Sequence, residues 1–292
     1  MAHLHPAVRL ARRHPLTGYF LLTFTLSWTW MAVALGVLRL PMLGIGGALA
    51  PLVGPALAAF VLTALTQGRA GIRDLLRRLV LWRVSPWWYA IVLLGWPALL
   101  LLLGFTQGAS AQAPAAAFWG LFLLILVTGG PLGEEPGWRG FALPLLQQRH
   151  GPLAGTLVLG VLHGLWHLPV YVLVPGYNGA PADPAGLAVS FATFVGGVTA
   201  GSVLFTWIFN NTRGSVLLAV LFHAVGNVLH SLAYELFPGA DLGHLVADLR
   251  TLAQVGLALL VVAATRGRLG HDRYLREVPP VPDAGRARVW SP

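Results

Sequence analysis

The chain has no cysteine and no lysine, and charged residues make up only 10% of its 292 positions. Without cysteine there is no disulfide, no thiolate nucleophile and no Cys-ligated metal, nor a prenyl or palmitoyl anchor on this chain itself. A soluble domain carries about 25% charge, so the scarcity excludes an ordinary water-facing surface. What fills the chain instead is apolar: 56% of residues are hydrophobic and the mean hydropathy is +0.71. These values point to an all-α polytopic membrane protein in which the bilayer replaces the usual core. The 19 basic residues are all arginine and leave a net charge of +9. They gather at the N-terminus, in one loop and in the C-terminal tail, where such clusters set topology and attract anionic headgroups. No nucleic-acid motif accompanies them, so the expected partner is the lipid bilayer and not a nucleic acid.

Apolar runs of spanning length occur at about Thr17–Val37, Gly44–Leu65, Trp87–Gly104, Ala115–Leu132, Ala154–Val174, Ala185–Phe209, Ser215–Leu232 and Leu252–Thr265. Each approaches the ~20 residues that a helix needs to cross, the last being short. About eight transmembrane helices are therefore expected. Arginines precede the first run, fill residues 69–83, stand at Arg149 and Arg213, and follow the last run. The alternate loops at 105–114, 175–184 and 233–247 carry none, with Arg39 the exception. The positive-inside rule then puts both termini in the cytoplasm of a multi-pass inner or plasma membrane protein. The first run is longer than a signal peptide's apolar region and reads as an uncleaved anchor. Residues 69–83 repeat Ile72, Leu75, Leu76, Leu79 and Val80 at helical spacing, the pattern of a surface amphipathic helix. Residues 1–274 read as one transmembrane domain with its motif core at 127–229, and the Pro-rich 275–292 as a disordered cytoplasmic tail.

Against this apolar background Gly133-Glu134-Glu135-Pro136-Gly137-Trp138-Arg139-Gly140 stands out. A charge at mid-bilayer costs roughly 2.5–3.5 kcal/mol, and intramembrane charges mark functional sites. A straight helix from Ala115 to Leu146 would be about 48 Å long, so the segment must tilt, break near Gly129-Gly130-Pro131, or protrude. Arg139 follows Glu135 by one helical turn, an easy ion pair; Glu134 is then the freer carboxylate and the candidate base. His163 and His167 share a helix face at a spacing that suits zinc, although a HExxH helix would carry Glu where Gly164 stands. Pro169 should kink that span and free backbone carbonyls. His223 and Asn227 share a later face, and both can donate hydrogen bonds to an oxyanion. His230 extends that stripe and reads as structural.

The ordered set Glu134-Glu135-x-x-x-Arg139, Trp166-His167-Leu168-Pro169 and His223-x-x-x-Asn227 resembles the three-motif signature of the CPBP (Abi/CAAX) family. These are intramembrane glutamic endopeptidases that include the type II CAAX prenyl endopeptidases and bacteriocin-processing proteins. The resemblance implies eight helices enclosing a polar intramembrane cavity reached from the cytoplasmic side. It implies that Glu134 and His167 activate water, that His223 and Asn227 hold the oxyanion, and that the substrate is a membrane-associated protein or peptide. Glu135, Arg139 and His163 would support them. The chain departs from the family pattern at His163, where an aromatic residue is usual. That extra imidazole keeps a zinc site of Glu134, His163, His167 and His223 open beside the glutamic reading, which needs no cofactor. The rival classes are an ion-coupled transporter, against which stands the absence of an inverted repeat, and a non-catalytic peptide-binding or immunity protein.

Overall fold

Apolar runs punctuated by Pro and Gly dictate helices whose backbone polar groups are satisfied within each segment, as a bilayer requires. The computed structural model describes residues 5–41, 47–106, 115–128, 130–236 and 240–278. Among these the elements are all helical. A short α1 (Pro6–Arg13) leads into α2 (Pro15–Val37), α3 (Leu49–Leu79), α4 (Pro86–Thr106) and α5 (Ala115–Thr128). After Gly130 come α6 (Pro131–Glu135), a π-helical stretch (Pro136–Ala142) and α7 (Leu143–His150). Then follow α8 (Pro152–Trp166), α9 (Leu168–Leu173), α10 (Pro184–Asn211), α11 (Val216–Leu236), α12 (Ala240–Thr265) and α13 (His271–Glu277).

Five helical stretches are long and apolar enough to cross a membrane: Pro15–Val37, Leu49–Leu79, Pro86–Leu103, Pro152–Leu173 and Pro184–Asn211. Shorter apolar helices run over Phe118–Thr128, Val216–Ser231 and Thr251–Thr265. Each of the eight runs expected from hydropathy falls on one of these, and the protein is an all-α polytopic membrane protein. Residues 279–292 of the expected tail lie outside the described residues, while Leu275, Arg276 and Glu277 belong to α13. The expected amphipathic helix at 69–83 is the second half of α3, set off by a non-helical Gly68 (φ 66°, ψ −154°) and ending at Leu79. Its apolar set divides: Leu75 is buried, whereas Leu76 and Val80 are exposed.

Three local devices position the site. The 115–146 segment breaks at Gly130, whose φ of 102° suits only glycine. Hydrogen bonds from Gly133 and Glu134 N–H to the Gly130 carbonyl, both 2.8 Å, start α6 there. A second break falls at His167, as Pro169 demands: α8 ends at Trp166 and α9 starts at Leu168. The Trp166 carbonyl accepts the indole N–H of Trp28 at 3.0 Å. The third device is a Gly160-x-x-x-Gly164 pair on α8. A Cβ at Gly160 would stand 2.6 Å from the Thr199 Cα, and one at Gly164 2.9 Å from the Val195 Cα. Only glycine lets α8 and α10 approach this closely, the usual small-residue route to helix association in lipid.

The arginine clusters, separate in sequence, meet at one end of the molecule. Arg12 donates to the Leu65 carbonyl at 3.3 Å. Ser215 donates to the Leu81 carbonyl at 2.8 Å, joining the α10–α11 turn to the α3–α4 link. Asn210 donates to the Leu269 carbonyl at 3.0 Å, and Phe209 packs on Tyr274 of α13 with ring centroids 5.4 Å apart.

Candidate active site

Glu134 and Glu135 close α6, and Arg139 follows in the π-helical stretch; π-bulges often mark functional sites. All three side chains are buried, Glu135 and Arg139 almost completely at 0% and 1% exposure. The expected ion pair forms: Arg139 Nη1 donates to Glu135 Oε1 at 3.0 Å. The same guanidinium donates through Nη2 to Ser202 Oγ at 3.2 Å and lies 4.0 Å above the centre of the Phe205 ring. A buried charge with this many partners is retained where an isolated one would not be.

Three imidazoles converge on this segment. His163 Nε2 stands 2.7 Å from Glu134 Oε2, and His223 Nδ1 stands 2.7 Å from Glu135 Oε1. His167 Nδ1 donates to the His163 carbonyl at 3.1 Å. Ring centroids separate His163 from His167 by 5.5 Å and from His223 by 6.3 Å. Trp138 covers His163 from the apolar side at 4.8 Å. Thus Glu134, expected to activate water together with His167, is hydrogen-bonded to His163, the residue at which the motif departs from its usual pattern. Asn227 lies on α11 one turn beyond His223, and its carbonyl accepts from Ser231 Oγ at 3.0 Å. His230, read as structural, contacts Asn178 Oδ1 through Nε2 at 2.9 Å, tying α11 to the loop before α10.

Donor chemistry sets the tautomers. Arg139 Nη1 also faces His163 Nδ1 at 3.4 Å. A guanidinium only donates, so Nδ1 accepts and the proton of the neutral His163 ring sits on Nε2, directed at Glu134. His167 donates from Nδ1, which leaves its Nε2 lone pair available.

The same facts test a metal. Glu134, His163 and His167 offer donor atoms within 4.8 Å of one another, the number of protein ligands that a catalytic zinc takes. A metal on His163 Nε2 would move that ring's proton to Nδ1, against the Arg139 N–H. His223 meets Glu135 through Nδ1, and its Nε2 is the ring's other donor atom. As arranged, the His163 ring is held between Glu134 and Arg139, so a metal on its Nε2 would require that ring to change tautomer.

Hydropathy and motif reading missed a polar ladder beneath the site. Ser202, Thr206 and Asn210 recur every fourth residue along one face of α10. They meet Arg139, then Thr156 (2.9 Å between hydroxyls), then Gln147 in a reciprocal amide pair at 2.8 and 3.1 Å. All but Arg139 are uncharged, so no charge signal marks them; their four-residue period was the available sign.

Comparison with known proteins falls on this geometry. Residues 114–229 match the family model of type II CAAX prenyl endopeptidases, Rce1-like. That segment is similar to the core of the CPBP (CAAX) family. It holds every element that contributes to the cluster, from α6 to the Asn227 turn of α11. A curated relative, CAAX prenyl protease 2 of Methanococcus maripaludis, is 30% identical over 108 residues. The alignment covers 37% of this chain and 38% of that relative, so the chain matches well under half of its length. The matched segment thus contains the whole cluster, while α1–α4 and α12–α13 lie outside the matched residues.

Proposed function

We propose that the protein is an intramembrane endopeptidase of the CAAX-protease type, hydrolysing peptide bonds of membrane-associated proteins or peptides without a metal. One observation carries the reading: a buried carboxylate, Glu134, is hydrogen-bonded to an imidazole at 2.7 Å inside apolar helices, with two further imidazoles beside it. Hydrocarbon supplies neither base nor oxyanion donor, so a protein that cuts peptide bonds there must build both.

In this mechanism Glu134 takes the proton of a water as its oxygen attacks the scissile carbonyl carbon. His167, anchored through Nδ1, presents Nε2 to the same water. The carbonyl oxygen becomes an oxyanion that His223 and Asn227 stabilise; one such donor is worth about 100- to 1,000-fold in rate. Collapse breaks the C–N bond, and the proton passes to the leaving amine. His163 is a positioning residue: it holds Glu134 and is itself held by Arg139. Glu135 orients His223 and neutralises Arg139.

The testing experiment is cleavage of a membrane-peptide library by the purified protein in nanodiscs, with and without chelator, beside Glu134→Gln. Cleavage that survives the chelator and vanishes in the variant supports a metal-free glutamic endopeptidase. Loss to the chelator moves the assignment to a metalloprotease. No cleavage by the native protein leaves a peptide-binding or transport protein.

A further inference from the structure

Away from this site, at the arginine-rich end, the α3–α4 link, the α10–α11 turn and α13 line a half-open cavity of about 290 Å³. Its walls carry three guanidiniums, Arg83, Arg213 and Arg273, against one carboxylate, Glu277. Glu277 pairs with Arg273 at 2.7 Å. Neither Arg83 nor Arg213 makes an ion pair with any described residue. The cavity therefore has two uncompensated positive charges, and its preferred guest is an anion. Arginine suits phosphate oxygens through its planar fork of donors.

Position decides the source of that anion. The cavity opens where α4, a membrane-spanning helix, begins at Pro86, with Trp88 in its wall. Trp82 and Trp87 beside it are 62% and 76% exposed, and the Arg83 guanidinium stacks 5.1 Å over the Trp82 ring. Exposed tryptophans at a helix end mark the headgroup level of a bilayer. Below them α4 turns Leu94 and Leu102 outward, both 58% exposed, a surface for acyl chains.

We propose that this cavity is a binding site for the phosphate of an anionic glycerophospholipid, which bridges α13 to the helical core. It is independent of the catalytic reading, sharing no residue with the Glu134 cluster.

The test uses the full chain, stripped of lipid in neutral detergent, and native mass spectrometry with three probes: phosphatidylglycerol, phosphatidylcholine and inorganic phosphate. Phosphatidylglycerol should be retained at concentrations where the other two are not. At about a fivefold loss per headgroup-level arginine, R83Q/R213Q should weaken retention about 25-fold. R149Q, at an exposed arginine outside the cavity, should leave it unchanged. Phosphatidylglycerol should also raise the melting temperature of the native protein and not of the double variant. If the double variant does not fold, the single variants still read the fivefold steps. Equal retention of both lipids, or full retention by folded R83Q/R213Q, overturns the proposal. Binding of inorganic phosphate as tight as that of the lipid assigns the cavity to free phosphate and overturns the lipid source.

Discussion

α4 and the stretch from Pro131 to Gln147 are both rich in apolar residues, yet they bury opposite kinds of side chain. Along α4, Val92, Trp96 and Leu100 face the protein, while Leu94, Leu102 and Phe105 are exposed. From Pro131 to Gln147 the buried set includes Glu134, Glu135, Arg139 and Gln147 together with Trp138, Phe141 and Leu143. In water burial follows hydrophobicity. Here the outside is lipid, so large aliphatic groups can face it without cost, whereas each polar group must find partners within the protein. Burial in this chain therefore does not follow hydrophobicity alone: the charged segment is buried with large apolar groups around it, and α8 packs through Gly160 and Gly164.

This contrast can be broken most sharply at Glu134. Glu134→Gln should cut peptide cleavage by about 100- to 10,000-fold, the range that a general base supplies, with the melting temperature nearly unchanged because the amide can still accept from His163. Retained cleavage would remove Glu134 from the mechanism. The largest structural effect should come from Arg139→Ala. Removing one partner of a buried pair costs about 3–5 kcal/mol, read as a lowered unfolding midpoint in detergent. A surface-like loss below 1 kcal/mol would mean that His223 alone satisfies Glu135. Gly160→Val should cost about 1–3 kcal/mol as α8 is forced off α10, and a stable variant would show that the two helices can separate freely. His163→Gln, which keeps an N–H for Glu134, should retain more activity than His163→Ala and leave the chelator response unchanged. If His163→Gln instead abolishes activity that added zinc restores to the native protein, His163 is a ligand. The smallest effect belongs to Leu102→Ala on the lipid-facing side of α4, within about 0.5 kcal/mol. A loss of 2 kcal/mol there would show that α4 packs against another protein surface.

Much of the architecture was legible beforehand, because the bilayer imposes its thickness on every span. The eight runs lie on the eight apolar helices; of the three courses open to the 115–146 segment the chain takes the break, at Gly130, and the break at His167 falls where the following Pro169 called for a kink. The Glu135–Arg139 pair was legible too, since residues four apart on a helix meet whatever surrounds them. The Ser202, Thr206 and Asn210 ladder is equally periodic, but it is uncharged and so carries no charge signal that separates it from the apolar background. The expected face of the 69–83 helix was only half right, since its pattern does not say that Leu75 packs against Gly140 while Leu76 points outward.

By itself the sequence determined the membrane class, the helices, their breaks and the residue types available for chemistry, because each depends on composition or on periodicity within one element. Only the tertiary structure decided which imidazole meets which carboxylate: His163 on Glu134 and His223 on Glu135. It also decided that dispersed arginine clusters share one end of the molecule and line a half-open cavity. The reason is physical: a helical period fixes what lies on a common face, but which face meets which neighbour follows from how all the helices pack at once.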